Sequence, residues 1–165
     1  SQIAIEKAER GKRILRICWE TNGYEKEEFA LKAAETSLKS GGNLKFDLKV
    51  WNPYLNGALC GVSNEPTLNT FKTIGERFFE KRVELPILTA STLLVPGYVD
   101  AEEVENIARF IGEISPRIPY TLLAFYPHYV LNDLPTTSRK QASQCYDVAS
   151  KYLEHVRIGN VNLLS

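Results

Sequence analysis

Very little in this chain commits it to nucleic acid, to a membrane or to an oxidising compartment. Lys plus Arg and Asp plus Glu each total 20. A balanced charge leaves no basic footprint for a phosphate backbone and no polybasic anchor for lipid, so neither partner is expected. No apolar run approaches the ~20 residues that span a bilayer, and no signal peptide is expected from the residues after Ser1. Cysteine is scarce: Cys18, Cys60 and Cys145 are odd in number, far apart and in no metal-ligand spacing. They are expected to be small buried core residues in a reducing compartment, which points to the cytoplasm. Linkers and low-complexity tracts are absent, and histidine is limited to His128 and His155.

What is present is enough for one domain with a real core. The chain has 165 residues, 44% of them hydrophobic and 24% charged, ordinary values for a globular protein. Residues 2–10 have the pattern of a helix tail stopped by Gly11. A strand is expected over Ile14–Glu20, with Leu15, Ile17 and Trp19 on one face and Arg16, Cys18 and Glu20 on the other. A helix over Lys26–Lys39 stops at Gly41-Gly42. Strand 44–50 follows, then a loop carrying Asn52-Pro53. Residues Asn64–Phe79 are expected to be mainly helical, with Thr67 a candidate cap, and Leu85–Val95 forms a β-prone stretch ended by Pro96-Gly97. Asp100 and Glu103 suggest a capping box before a helix whose apolar stripe is Val104, Ile107, Ala108 and Ile111. Strand Ile118–Phe125, helix Thr137–Glu154 and strand Val156–Val161 complete the order.

Repeated strand–helix alternation predicts an α/β fold with four to five parallel strands and flanking helices. Two architectures are open, a doubly wound sheet or part of a (β/α) TIM-type barrel; a complete barrel needs ~250 residues. Parallel strands covered on both faces usually consist of continuous apolar runs. Leu44-Lys45-Phe46-Asp47-Leu48-Lys49 instead alternates apolar and charged residues. Its charged face needs a wet or ligand-filled space to look into.

Polar residues gather at the carboxyl ends of the expected strands, where α/β proteins bind ligands. They are Glu20-Thr21-Asn22-Gly23, then Asp47 and Lys49, then Ser91 and Thr92, then Tyr126-Pro127-His128. Asp47 and Lys49 are two residues apart, so their side chains leave one face about 7 Å apart. Such a pair can grip a zwitterionic amino-acid group, Lys49 on its carboxylate and Asp47 on its amine or through a cation. It can equally be a self-satisfied ion pair or a solvated face. Glu20 can cap a helix or face water, Asn22 and Gly23 suit a turn, and His128 can be structural or a carboxylate donor. His155, expected late in a helix, can interact with its carbonyl end.

At these residues the chain resembles the radical S-adenosylmethionine superfamily, and within it the pyruvate formate-lyase activating enzyme group. Glu20-Thr21-Asn22-Gly23, Asp47-Leu48-Lys49, Leu59-Cys60-Gly61-Val62-Ser63-Asn64, Leu94-Val95-Pro96-Gly97-Tyr98 and Phe125-Tyr126-Pro127-His128 occur in the order of that group's motifs. The resemblance implies the C-terminal portion (residues 1–165) of a radical-enzyme partial barrel. In the intact family protein, S-adenosylmethionine is cleaved reductively to a 5′-deoxyadenosyl radical. It implies that Asp47, Lys49, His128 and Asn22 serve the cofactor, and that Glu20, Thr21 and Asp47 hold a monovalent cation. Glutamate at position 20 replaces the group's usual aspartate, and Ser91 stands where some members carry an arginine. The Cys-x3-Cys-x2-Cys loop that holds the family's four-iron, four-sulfur cluster has no counterpart here. No cluster, no iron–sulfur ligand and no catalytic residue is therefore expected in this chain, which alone should be inactive. The substrate of the intact protein would be a protein or a small molecule. Two other readings compete: a non-catalytic α/β module that keeps the barrel rim for a ligand or partner, and a plain small-molecule-binding α/β domain. With its upstream neighbours absent, the first strand is expected to be an open edge suited to self-association.

Overall fold

A computed structural model describes residues 2–82 and 84–165. Its elements are α1 (Gln2–Arg10), β1 (Trp19–Thr21), α2 (Glu27–Ser40), β2 (Leu44–Asp47), α3 (Pro53–Cys60), α4 (Glu65–Phe78), β3 (Leu88–Leu94), α5 (Ala101–Ile114), β4 (Tyr120–Ala124), α6 (Arg139–Ala149) and β5 (Val156–Gly159). The five strands form one parallel sheet in the order β1-β2-β3-β4-β5, flanked by helices. This bears out the α/β class. The order never reverses, so the sheet lacks the switch point of a doubly wound fold. β1 stands at one end of the order.

Two compact units make up the chain. The first comprises Ser1–Asp47 and Pro66–Thr89, the second Leu48–Glu65 and Ala90–Ser165. In the first, β1 and β2 pair with Trp19 opposite Leu44 and Glu20 opposite Lys45. Phe46 is fully buried and meets Phe71 edge-on, ring centroids 5.3 Å apart. α2 lays Ala30 and Ala34 on the sheet without exposed surface, and small residues there let helix and strand approach closely. It ends at Gly41, whose φ of 76° only glycine adopts readily.

In the second unit, β4 pairs with β3 and β5. α5 buries the stripe Val104, Ile107, Ala108 and Ile111 that its periodicity predicts. Tyr120 donates its hydroxyl to Thr92 at 2.7 Å, and Thr92 donates to the Leu48 carbonyl at 2.6 Å. That buried relay satisfies three polar groups without water.

Several boundaries differ from expectation, each for a local reason. The first strand is only Trp19–Thr21: the Ile17 amide and carbonyl bond the hydroxyls of Ser40 and Ser37, so no strand partner holds residues 14–18. The loop at Asn52-Pro53 is the start of a helix: the Asn52 side chain accepts from the Tyr54 and Leu55 amides, and Pro53 occupies the first turn, where its missing N–H costs nothing. Thr67 is no cap. Ser63 accepts from the Glu65 amide, and Thr67 is buried inside α4. Asp100 caps α5, but Glu103 does not return the capping box; its carboxylate accepts from the Trp51 and Asn52 amides at 2.6 and 3.0 Å. The last helix is Arg139–Ala149, started by Ser138, so His155 lies beyond it, and its carbonyl accepts from Tyr120 where β5 begins. Cys145 is buried as expected, whereas Cys18 and Cys60 are exposed.

Candidate functional site

The alternation over residues 44–50 is real. Leu44, Phe46, Leu48 and Val50 are buried, and Lys45, Asp47 and Lys49 between them are partly exposed. In the first unit the charged face has an identifiable composition. Lys45 Nζ lies 3.2 Å from Glu20 Oε1, directly across the register between β1 and β2. Successive side chains alternate faces, so Asp47, two residues after Lys45, shares that face with Glu20. The carboxyl ends of these two strands therefore carry two carboxylates and one ammonium. Lys45 is the member that sequence reasoning missed, although the alternation that marks Asp47 runs through it.

Thr21 is on the other side. Trp19, Thr21 and Leu44 line, among others, a groove of about 380 Å³ against Phe29, Lys32 and Thr36 of α2. The Thr21 hydroxyl donates to Glu25 at 2.7 Å and accepts from the Gly23 amide at 2.9 Å. Its side chain is thus committed to the turn. Asn22 is exposed; its side chain accepts from the Tyr24 amide at 3.1 Å and its carbonyl from the Thr67 hydroxyl at 2.6 Å. Gly23 has φ of 70° and lies against the Phe46 ring, which leaves no room for a side chain. The Glu-Thr-Asn-Gly string is therefore a pinned turn that aims Glu20 to the charged face.

In the second unit the Gly-Val-Ser-Asn string is a clamp. Gly61 ends α3 with φ of 73°. The Asn56 amide group donates to the Val62 carbonyl, and buried Asn64 donates to the carbonyls of Val50 and Trp51 at 3.0 and 2.7 Å. The residues following Leu48-Lys49 are thereby fixed to the start of α4. Lys49 itself is partly exposed, Ser91 is buried, and the Ser91 carbonyl accepts from the Leu48 amide. His128 is exposed, beyond the carboxyl end of β4 and just before a short turn of 3₁₀ helix at Tyr129–Leu131.

Cys145 is a poor candidate for a thiolate ligand. Burial pushes the Cys145 thiol up to about 12, with the Asp100 charge adding to the effect. A thiol held that firmly in its protonated form makes a poor ligand. Among the described residues no group of three or more His, Cys, Asp or Glu side chains is placed to hold a metal ion. No described helix is long and apolar enough to cross a membrane.

No family model matches the chain. A protein of Methanocaldococcus jannaschii assigned to the glycyl-radical enzyme activating enzymes is 24% identical over 136 residues. That match takes in 82% of this chain and 49% of the relative. The chain is similar to glycyl-radical activating enzymes. It spans about half the length of the curated relative it matches. A crystallised domain of pyruvate-formate lyase-activating enzyme from Bacteroides vulgatus has the same fold, with a TM-score of 0.72 and 21% identity over 96% of this chain and 91% of that one. The resemblance carried by the five motifs is thus borne out by an independent sequence match and a shared architecture.

Proposed function

We propose that this chain is the S-adenosylmethionine-binding C-terminal portion of a glycyl-radical activating enzyme. The observation that carries the reading is the charged face of an otherwise buried parallel strand, in a chain similar to such activases. Asp47 would serve the methionyl end, directly or through a monovalent cation, and Lys49 would contact its carboxylate. His128 and Asn22 would complete the cofactor contacts. Glu20 would contribute a carboxylate to the cation, and Thr21 only its backbone, since its hydroxyl is engaged elsewhere. When bound, S-adenosylmethionine supplies the radical chemistry, and the protein supplies orientation and charge. The sequence has no Cys-x3-Cys-x2-Cys loop, so cluster ligands and the reductive step would lie outside these residues. The chain alone would be inactive toward a protein or small-molecule substrate. The terminal position of β1 suits pairing with a further strand, whether from the rest of the protein or a second copy.

Titration calorimetry of S-adenosylmethionine into the chain tests this. Weak binding is expected, with a loss of about tenfold or more in Lys49→Ala; hydrogen bonds to charged groups contribute about 1.5–3 kcal/mol, and 1.4 kcal/mol is about tenfold. Binding equal in wild type and in a Lys49→Ala variant of unchanged circular dichroism would refute Lys49 as a carboxylate contact.

A further inference from the structure

Residues 13–20 of the first unit are exposed, save for partly covered Ile17. Their apolar members include Ile14, Leu15 and Trp19, and no proline interrupts the run. Hydrogen bonds fix which way its backbone faces. The Ile17 amide donates to Ser40 and its carbonyl accepts from Ser37, while the Trp19 amide donates to the Asn43 carbonyl, all at 2.9 Å. Backbone groups alternate sides along an extended chain, so those of Arg16, Cys18 and Glu20 turn the other way, to the open edge. β1 ends the strand order, and such a row of outward donors and acceptors is a template for another strand.

The side chains of this edge complement themselves. Arg16 and Glu20 stand two residues either side of Cys18 with opposite charges. A two-fold interface needs that symmetry, because residue i must suit residue j of an identical surface. Antiparallel pairing with Cys18 on the axis sets Arg16 opposite the partner's Glu20, twice over. Cys18 and the charged pair then occupy hydrogen-bonded positions, as their outward backbone groups require. The same register brings Ile17 opposite the partner's Trp19, a favourable aromatic and β-branched pair at the closer, non-hydrogen-bonded position. Leu15 falls opposite the partner's Thr21, which lines the groove beside exposed Phe29. A slip of two residues either way leaves neither charge opposite its counterpart. A slip of four sets like charges together.

We propose that this edge is a two-fold interface with a second copy of the chain, in which β1 and the segment leading into it pair antiparallel in that one register. The sheet continues across the axis, the Arg16 and Glu20 pairs fix the register, and Trp19, Ile17 and Leu15 cover one another on the groove side. Pairing of this kind is independent of S-adenosylmethionine binding, since it uses only the edge of the first unit.

Sedimentation equilibrium of the full chain tests it. A reversible dimer is expected, with a dissociation constant on the order of 10 μM, as suits a small interface. Arg16→Glu and Glu20→Arg each set like charges opposite one another, and each should weaken the dimer about tenfold or more. An equimolar mixture of the two variants faces unlike charges at both pairs again and should dimerise about as tightly as wild type. Circular dichroism checks that each variant is folded. Glu20→Arg also meets Lys45, so Cys18→Pro, which removes an outward amide, blocks the edge independently and should be monomeric. In Cys60→Ser, a short bis-maleimide should join Cys18 to its twin, whose Cα lies about 5.5 Å away in this register. In Cys18→Ser, Cys60 should not cross-link. A monomer up to ~1 mM, a dimer undisturbed by Arg16→Glu, or no rescue on mixing folded variants would each overturn the proposal.

Discussion

Gly23 is the most exacting position in the turn that aims Glu20, and Gly23→Ala isolates why. Two costs combine there. With φ of +70°, an alanine would sit in the left-handed region, a strain of about 1 kcal/mol. Its Cβ would also fall 2.8 and 2.9 Å from two atoms of the Phe46 ring and 3.1 Å from Thr67 Cγ2. Phe46 is fully buried against Phe71, so the ring has little freedom to retreat. Overpacking of that kind costs about 1–3 kcal/mol. The sum is about 2–4 kcal/mol, a large share of the ~5–15 kcal/mol by which domains are stable. Urea unfolding followed by circular dichroism measures it, provided the dependence on denaturant is unchanged. A double-mutant cycle separates the terms. In a Phe46→Leu background the ring atoms are gone, and Gly23→Ala should cost little beyond the backbone strain, a coupling of up to about 1–3 kcal/mol. Gly23→Asn provides the complementary check, since asparagine tolerates the left-handed region yet still carries a Cβ. A Gly23→Ala cost below ~0.5 kcal/mol, or an unchanged cost in the Phe46→Leu background, would refute the packing argument.

The legible and illegible parts of this molecule divide by sequence distance. Alternation over residues 44–50 is local and sets burial residue by residue, so the charged face could be anticipated from the string itself. The partner of Glu20 could not. Lys45 meets it only because β1 and β2 pair in one register, which spacing alone does not fix. The same holds for Asn64, whose acceptors Val50 and Trp51 lie fourteen and thirteen residues upstream, and for Glu103, which reaches back 52 residues to Trp51. Pattern identified Gly61-Val62-Ser63-Asn64 as an entry to a helix but not as a clamp. Strand length failed for a related reason. Residues 14–18 have strand composition, yet the Ser37 and Ser40 hydroxyls take the backbone groups a neighbouring strand would use. Cys18 accordingly lies exposed between Arg16 and Glu20, in company that a buried hydrophobe would not keep.

Two other substitutions probe single interactions. Thr67→Val keeps the shape of a buried side chain but leaves the Asn22 carbonyl without its 2.6 Å donor. A loss of about 1–3 kcal/mol in urea unfolding is expected, and a loss near zero would remove Thr67 from the support of the turn. Cys145 gives a pH-dependent readout. Burial raises its thiol from 9.0 to about 12, so the folded protein holds this proton more tightly than the unfolded chain. The sign follows by linkage: its contribution to stability is complete below the unfolded value and is lost as pH rises through the folded one. Cys145→Ala should therefore flatten the decline of the melting temperature between pH 9.0 and about 12, whatever it costs in packing at neutral pH. An equally steep decline in wild type and variant would place the alkaline sensitivity elsewhere. Thiol alkylation supplies the kinetic counterpart. At pH 8 the native Cys145 thiolate is roughly a thousandfold rarer than that of an unperturbed thiol. Its modification should proceed only through unfolding, while Cys18 and Cys60 react in the folded state.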